Sequence, residues 1–522
     1  MPGIDSRSLS KIDLLFSAGV FSSFLLYFGL TVFRSNWGYD FGFYLSAVSA
    51  LQTDMWNPAH ETVAGATLAD SLMYSPYIFL VAVVGKLASL SAFASLQLAG
   101  CLNLVLYVLA IIHFFRVFSV NRQCWSAPAL FLVVSLLVRR FNYSWSSETS
   151  LLTLPYIQSY PSTFAWPIVL LALAETELYL RNGRSRHLLA VLAGFWCIAL
   201  SHMLTASWLL GLLALRILFR PLIPPEQNLG SSGKFAAGMV LASGATLLWP
   251  YLDVLRIFDR AGYPENPPFG QHLASEMWYP FLLGLPALVY FLKRKRHRLL
   301  ALWFAGTWLA FFVARLLGLA FGNRFIFFQL FFLHVVIAEA LALGLKRAIK
   351  HGFKPTGLSL VTLVCLFSLG TLASPQLREA TFGYNKLARP IQLYRLPSNR
   401  ETLYRKWSPF RTYIRPEEVV LTPLDDAPAY LATYTGCRCL LGLYPIAGSV
   451  QRKAEVARFM SPGVPWAEKR KTLVKYGVGK VLVKTTRPAL LRQLHNHLGP
   501  PIFSTQDYLL FKGEDYRTTS RT

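Results

Sequence analysis

The chain has 522 residues, of which 54% are hydrophobic and 15% are charged, and its formal net charge at pH 7 is +25. A soluble domain carries about 25% charged residues, so this composition excludes a chain that is soluble throughout. The Lys and Arg residues form short clusters between apolar segments, a pattern typical of loops at the inner face of a membrane and not of a groove that binds nucleic acid. The sequence therefore predicts a polytopic α-helical membrane protein that binds no nucleic acid.

Apolar segments that can form membrane-spanning helices recur through residues 1–373. A spanning helix needs about 20 apolar residues. The first such segment follows Arg7 and Lys11, which predicts an uncleaved first helix with its N-terminus inside. About eleven spans are predicted, at residues 13–34, 95–117, 126–139, 164–181, 187–203, 204–220, 235–252, 278–292, 298–318, 325–345 and 356–373.

Residues 76–94 are apolar as well, but the charges of later loops indicate that they do not cross the membrane. If this segment spanned, the basic clusters at 293–298 and 346–351 would lie outside, whereas both lie inside if it rests on the outer surface. Lys86, in the middle of the segment, also favours an interfacial helix. The first outer loop is then 35–94, and the C-terminal domain lies outside.

From about residue 374 the chain becomes basic and polar, and residues 374–522 are predicted to form a small extracytoplasmic α/β domain. Short apolar strands alternate there with helical segments. The predicted strands are 417–424, 437–443, 479–485 and 507–513, and the predicted helices are 425–434, 451–460, 465–476 and 487–498. Cys437 and Cys439 are interpreted as small buried strand residues, because a bridge between residues so close in a strand would be strained.

The first outer loop concentrates the acidic residues on which the functional interpretation depends. It contains four acids and, before Lys86, no Lys or Arg. Asp40 lies in WGYDFGFYL, directly beyond the first helix. A carboxylate held at a helix end can act as general base on an acceptor hydroxyl, although a solvated residue after a membrane helix would look the same. The four acids are Asp40, Asp54, Glu61 and Asp70.

Aromatic residues surround Asp40 and continue along the same loop. Trp37, Tyr39 and Tyr77 are candidates for lining a sugar site. Amphipathic aromatic rings also gather at membrane–water interfaces. Both interpretations stay open from the sequence.

Three further polar residues are predicted at outer helix ends. Arg324 begins the tenth helix and can hold a phosphate with two parallel donors, or it can simply extend to the interface. Arg315, near the outer end of the ninth helix, needs a polar partner or water and is a second candidate for the phosphate. His202, in LSHMLTA, is either a ligand contact or a structural histidine.

Glu148, in the second outer loop, is a candidate second acid or acceptor contact, with a solvated loop residue as the alternative. It is the only acid in YSWSSETS. A hard divalent cation prefers several oxygen ligands, so a metal is not supported and no cofactor is predicted.

The layout resembles the GT-C superfamily of membrane glycosyltransferases over roughly residues 10–345. The first similarity is a basic N-terminus and a first helix, followed by a long outer loop that opens with an acid. The segments that resemble the family further along are MYSPYIFLVAVVGKLASLSAFASLQLAGCLNLVLY, YPSTFAWPIVLLALAETELYLRNG, LAGFWCIALSHMLTASWLLGLLAL and GNRFIFFQLFFLHVVIAEALAL. The sequence has no WWD motif, so it departs from the oligosaccharyltransferases that glycosylate Asn.

The resemblance implies transfer of a sugar from a polyprenyl-phosphate or -pyrophosphate carrier, outside the membrane, to a glycan, lipid or protein acceptor. Asp40 then matches the first-loop carboxylate of the family, and Arg324 the arginine that binds the carrier's phosphate. Glu148 falls where some members carry paired acids, and His202 lies in an SH-containing segment similar to theirs. The protein is expected in the plasma membrane with the active site extracytoplasmic. The C-terminal domain is similar to outer domains of bacterial members and is expected to orient the acceptor.

Three alternatives remain. A polysaccharide polymerase or ligase with a pyrophosphate-linked donor would favour two arginines over a single carboxylate. A transporter or flippase would carry inverted repeats and broken helices with charges at the membrane midplane, and the sequence shows no repeat. A membrane scaffold without catalytic activity is the third.

Overall fold

The computed structural model divides into two compact units, which are described separately. The first comprises Met1–Asn36, Ala99–Leu248 and Gly262–Leu396, and the second comprises Trp37–Leu98, Trp249–Ala261 and Pro397–Thr522. The structure describes residues 6–34, 41–58, 63–64, 71, 73–119, 125–137, 154–219, 229–251, 278–294, 297–317, 325–350, 399–423, 427–441 and 449–513.

Helices dominate the chain before residue 351. They are α1 (Ser6–Arg34), α2 (Phe41–Thr53), α3 (Pro76–Leu87), α4 (Ala92–Phe118), α5 (Ser126–Leu137), α6 (Leu154–Ile157), α7 (Pro161–Asn182), α8 (Ser185–Ser201), α9 (Met203–Leu218), α10 (Leu229–Ala245), α11 (Trp278–Lys293), α12 (Arg298–Leu316) and α13 (Phe325–Lys350).

The predicted membrane helices correspond to these elements. Ten of the eleven predicted segments coincide with helices, and the eleventh, 356–373, lies outside the described residues. Within the described ranges, five helices are long and apolar enough to cross a membrane, and the number of spans stays a prediction. The five are Asp13–Leu30, Ala92–Phe118, Pro161–Asn182, Arg298–Leu316 and Phe328–Arg347.

Local sequence explains where α7 and α8 meet. Pro161 occupies the start of α7, where its missing N–H leaves no hydrogen bond unmade. Gly183 ends α7 in the left-handed region at φ 66°, and its N–H donates to the Tyr179 carbonyl at 2.7 Å. A side chain there would be strained, so glycine sets a two-residue turn. The two helices then pack along each other.

The segment predicted as an interfacial helix, 76–94, divides in two. Ser75 caps α3, α3 ends at Leu87, and Ser89 takes a left-handed conformation at φ 54° before α4 begins. One face of α3 is buried, whereas Leu80 and Leu87 are 54% and 82% exposed. At 12 residues α3 is shorter than a membrane span, and its position at an interface stays a prediction.

A mixed five-stranded sheet forms the C-terminal part of the second unit. Its order is β2-β1-β3-β5-β4, with β2, β1 and β3 parallel and β5 antiparallel to both β3 and β4. Parallel neighbours need helical crossovers, and helices connect them here. The strands are β1 (Val419–Leu421), β2 (Arg438–Cys439), β3 (Lys480–Lys484), β4 (Phe503–Ser504) and β5 (Tyr508–Lys512), and the helices are α14 (Asn399–Trp407), α15 (Ala427–Thr435), α16 (Ser449–Phe459), α17 (Trp466–Tyr476) and α18 (Pro488–Leu498).

The four predicted strands correspond to β1, β2, β3 and β5, and the four predicted helices to α15–α18. The sequence did not predict α14 or the two-residue β4. Cys437 and Cys439 are free thiols buried beside the sheet. The predicted domain boundary near residue 374 lies outside the described residues and stays a prediction.

Lys469, on α17, has a buried amine. The residue is 1% exposed, its Nζ lies 5.6 Å from the Phe459 ring centroid, and it has no hydrogen-bond partner among the described residues. Burial lowers the pKa of Lys469 to about 8. The folded protein therefore bears the desolvation of a lysine side chain that has no anionic partner in the part of the chain that the structure describes.

We expect Lys469→Met to raise the free energy of unfolding by about 1–2 kcal/mol near pH 7. The amine has a pKa of about 10.4 when unfolded and about 8 when folded. The unfolded chain binds more protons between these values, so wild-type stability rises as the pH rises through this window, and the penalty is complete below it. The melting midpoint of the full chain in lipid should be measured at both ends of this pH window. The difference between the two midpoints should be smaller in the variant than in the wild type.

The control is Lys471→Met, because Lys471 is exposed on the same helix. An equal change of midpoint in both variants would contradict the assignment to burial.

Candidate functional site

Three helices of the first unit begin at the same end of the bundle, which we call the aromatic end. Trp166 near the start of α7 stacks on Trp208 near the start of α9, with ring centroids 5.3 Å apart. Phe328, in the first turn of α13, stacks on Trp208 at 4.4 Å and on Trp166 at 5.9 Å. The starts of α7, α9 and α13 therefore lie together.

The same end receives the last turns of α1 and residues 100–103 of α4. The amide of Gln158, just before α7, donates to the Phe28 carbonyl of α1 at 2.8 Å. The Gln158 carbonyl accepts from Asn103 of α4 at 2.9 Å. These bonds satisfy polar groups inside an apolar bundle, where an unpaired group would be costly. They fix the C-terminal part of α1 beside the start of α7.

Arg315 lies at the aromatic end because α12 runs antiparallel to α9. The Trp208 indole donates to Thr307 Oγ1 at 3.0 Å, and the Trp303 indole donates to the Leu212 carbonyl at 2.9 Å. The last turn of α12 therefore points toward the start of α9. Arg315 occupies that last turn and its side chain is exposed.

His202 separates α8 from α9 at this end. Its backbone is extended, with φ −153° and ψ 84°, between two helices. Its Nδ1 lies 2.6 Å from Thr205 Oγ1, and its backbone N–H donates to the Ile198 carbonyl at 2.7 Å. The histidine therefore has structural bonds, and its part-buried ring belongs to the turn. A contact to donor or acceptor stays a prediction.

Basic residues and buried ion pairs occupy the opposite end. Since α4, α7 and α9 begin at the aromatic end, their last turns, with Arg116, Arg181 and Arg216, lie at the other. Arg216, 0% exposed, pairs with Glu177 of α7, with a second contact of 3.3 Å between Nη2 and Oε2. Arg181 lies 3.6 Å from the same carboxylate. Basic clusters that the sequence places on one side of the membrane thus share one end.

A second carboxylate at the basic end contacts two histidines. Glu175 accepts from His113 Nε2 of α4 at 2.7 Å and also bonds to His187 Nδ1 of α8. The contacts tie α4, α7 and α8 together. The sequence analysis singled out none of these residues, because their spacing along the chain carries no motif.

Five of the predicted site residues lie outside the described residues. They follow or precede described elements, so their place in the sequence is still informative. Asp40 comes six residues after the end of α1 and directly before α2, and Arg324 directly precedes α13 at the aromatic end. The five are Trp37, Tyr39, Asp40, Glu148 and Arg324.

The described part of the first outer loop lies in the second unit, and hydrogen bonds and packing hold it in place. Gln52 of α2 donates to Ser95 Oγ at 3.0 Å and to the Leu90 carbonyl at 3.2 Å. Tyr77, a predicted sugar-lining residue, is 3% exposed on the packed face of α3. The sequence predicted a loop here and missed α2, whose nine buried residues require partners distant in sequence.

The turn after α2 is held from both sides. Asp54 Oδ1 accepts the backbone N–H groups of Trp56 and Asn57 at 3.1 and 3.0 Å. The Tyr251 hydroxyl donates to the Met55 carbonyl at 3.0 Å.

Gln329, in the second turn of α13, is a polar residue that the sequence analysis did not single out. It is 0% exposed, and neither its amide oxygen nor its nitrogen has a hydrogen-bond partner in the described part of the chain. A buried amide without a partner costs about 1–3 kcal/mol. In native structures such a group commonly indicates a water or a ligand.

We therefore expect Gln329→Met to leave the fold intact and to raise the free energy of unfolding by about 1–2 kcal/mol, because the uncompensated amide is removed. Thermal unfolding in lipid measures this. Leu330→Met, at the neighbouring buried position, controls for the introduced thioether. A loss of stability in Gln329→Met alone would mean that the amide has a partner in the protein.

Within the described ranges, no three His, Cys, Asp or Glu side chains are grouped to hold a metal ion. Asp40 and Glu148 lie outside the described residues, and the absence of a metal at these two acids stays a prediction.

No family model matches the sequence, and no curated protein matches it. Solved structures do. ArnT from Cupriavidus metallidurans in the apo state is 13% identical with a TM-score of 0.57, covering 94% of this chain and 96% of that one. ArnT is also matched when bound to undecaprenyl phosphate. AglB, the oligosaccharyltransferase of Archaeoglobus fulgidus in complex with an inhibitory peptide and a dolichol-phosphate, is 13% identical with a TM-score of 0.55, covering 89% and 69%.

The arabinofuranosyltransferase AftD from Mycobacteria is 12% identical with a TM-score of 0.51, covering 92% of this chain and 40% of AftD. These proteins are GT-C glycosyltransferases. Similarity at so low an identity concerns the fold, and it extends over nearly the whole chain. The protein therefore has the GT-C fold that the layout of its helices and first outer loop predicts.

Proposed function

We propose that this protein is an integral membrane glycosyltransferase that moves a hexosyl or pentosyl group from a polyprenyl-phosphate donor to an extracytoplasmic acceptor hydroxyl. The observation that carries the proposal is the aromatic end of a GT-C bundle. There the chain leaves α1 toward Asp40, turns at His202 and enters α13 from Arg324. The acceptor is a glycan, a lipid or a protein.

In the proposed reaction, Asp40 takes the proton of the acceptor hydroxyl. The acceptor oxygen attacks the anomeric carbon, the bond from that carbon to the phosphate oxygen breaks, and its electron pair stays on the phosphate. Arg324, with Arg315, stabilises the negative charge of the departing phosphate. Glu148 is the proposed second acid, and His202, Trp37, Tyr39 and Tyr77 are proposed contacts of the sugar.

The charges of the bundle support an orientation in which the aromatic end is extracytoplasmic. Arginines in the last turns of α4, α7 and α9 mark the basic end, and juxtamembrane Lys and Arg favour the cytoplasmic side. The aromatic end is then extracytoplasmic, as a lipid-linked donor at the outer face of the plasma membrane requires. Gln329, one turn inside α13, offers an amide to a phosphate oxygen or a sugar hydroxyl at this end.

The test is donor consumption by purified protein in lipid vesicles. The donors are polyprenyl-phosphate and polyprenyl-pyrophosphate sugars, offered with a mixture of acceptors that carry free hydroxyls. Release of the polyprenyl phosphate supports the proposal. Movement of an intact donor across the bilayer without release would instead indicate a flippase.

A polymerase or ligase is the second candidate, and one observation favours it. Arg315 is exposed at the aromatic end, the end at which α13 follows Arg324, so two cations could serve a pyrophosphate. Release of polyprenyl pyrophosphate, and no turnover of the monophosphate donors, would select this reaction.

A further inference from the structure

The first outer loop and the C-terminal sheet belong to one compact unit. Val63 of the loop pairs with Cys439 of β2 in a parallel bridge, and the Ala64 N–H donates to the Cys439 carbonyl at 2.7 Å. Since β2 is an edge strand, the loop extends the sheet and covers backbone groups that would otherwise be open to solvent.

A side chain of α16 holds the same point of the loop. Arg452 Nη1 donates to the Ala64 carbonyl at 2.7 Å, and its guanidinium lies 5.4 Å from the Tyr476 ring centroid. Residue 64 thus has its N–H and its carbonyl engaged by two different elements of the C-terminal part. A charged donor makes the stronger kind of hydrogen bond.

A third contact lies at the start of α2. A Cβ on Gly42 would come within 2.9 Å of the Ala429 Cβ and 3.2 Å of the Tyr430 ring on α15. Only glycine allows α2 to approach α15 so closely without displacement. The contact lies two residues after Asp40, so a shift of α2 moves the backbone that carries the proposed base.

We propose that the C-terminal domain positions Asp40 for catalysis, through Gly42 against α15 and through Arg452 and β2 against residues 63–64. The inference rests on the proposed function and adds a role to the C-terminal domain beyond orientation of the acceptor. Gly42 and Arg452 are positioning residues: neither needs to touch the substrate. Misplacing a reacting group by about 1 Å can cost about 10²-fold in rate.

The experiment compares Arg452→Met with Lys453→Met in the full-length protein in lipid. Both changes remove one positive charge from α16, but the side chain of Lys453 is exposed. We expect kcat for donor release to fall about tenfold in Arg452→Met, with KM for the donor within about twofold of wild type. Hydrogen exchange of the amides of α2 and of Ala64 should quicken in that variant, while Lys453→Met should match wild type in both respects.

The second pair of variants is Gly42→Ala alone and combined with Ala429→Gly, which removes the methyl group that the new Cβ meets. The single change should lower kcat, and the second should restore much of it. An unchanged kcat in Arg452→Met despite faster exchange in the loop would overturn the inference, as would loss of kcat in Gly42→Ala that Ala429→Gly leaves unrepaired. A wild type without donor release would instead remove the proposed function itself.

Discussion

Replacing Glu177 with leucine should lower the free energy of unfolding by about 3–5 kcal/mol. The carboxylate pairs with Arg216, which is 0% exposed, and lies 3.6 Å from Arg181. Without it the buried Arg216 guanidinium loses the carboxylate that offsets its desolvation, and breaking a buried ion pair is among the most destabilising changes known. Loss of the thermal transition in lipid, or a midpoint lowered by many degrees, is the expected measurement.

A double-mutant cycle separates the pair from the volume of its side chains. We expect Arg216→Leu to be strongly destabilising too, and the double variant Glu177→Leu/Arg216→Leu to be less destabilised than either single variant, because neither member of the pair stays buried after the other is removed. Glu175→Leu is the matched control, two residues away on α7, with a side chain that is 19% exposed and bonded to histidines. A cycle with no coupling between Glu177 and Arg216 would contradict the assignment.

The course of the helices was predictable, because hydrophobic runs and basic flanks are local properties of the sequence. Thus α12 begins at the predicted Arg298, and α5 at the predicted Ser126. The strands β1, β2, β3 and β5 were predictable for the same reason. The pairing of Glu177 with Arg216 was not, because it joins residues 39 apart in sequence and depends on how α7 packs against α9.

The contacts that hold the first outer loop could not be predicted from the sequence. Its acids and aromatic residues were visible, but the 13 residues of α2, FGFYLSAVSALQT, mix apolar residues with Ser, Gln and Thr, and they were predicted as part of a loop. Its burial depends on α15, almost 400 residues later. The bridge from Val63 to Cys439 joins segments equally distant. Contacts between segments so far apart leave no periodic pattern in the sequence. The sequence therefore predicts which residues belong to the candidate site, but not the contacts that hold the neighbouring backbone in place.

Asp40→Asn should lower donor turnover by about 10²–10⁴-fold, the usual contribution of a general base. Asparagine keeps the size of the side chain and one acceptor oxygen but cannot take a proton. The KM for the donor should change little, because the proposed base acts on the acceptor and not on the phosphate. Release of polyprenyl phosphate in lipid vesicles, in the presence of a saturating acceptor, measures both constants.

Asp54→Asn is the matched control, because Asp54 lies in the same loop and the substitution removes the same charge. Its Oδ1 accepts the N–H groups of Trp56 and Asn57, and an asparagine oxygen can accept both bonds, so the turn should persist and turnover should stay within about twofold. Equal losses in the two variants would point to the negative charge of the whole loop, and a fully active Asp40→Asn would move the proposed base to Glu148. Both variants remove one negative charge and should keep the fold. A loss of turnover confined to Asp40→Asn would therefore indicate a proton transfer at Asp40.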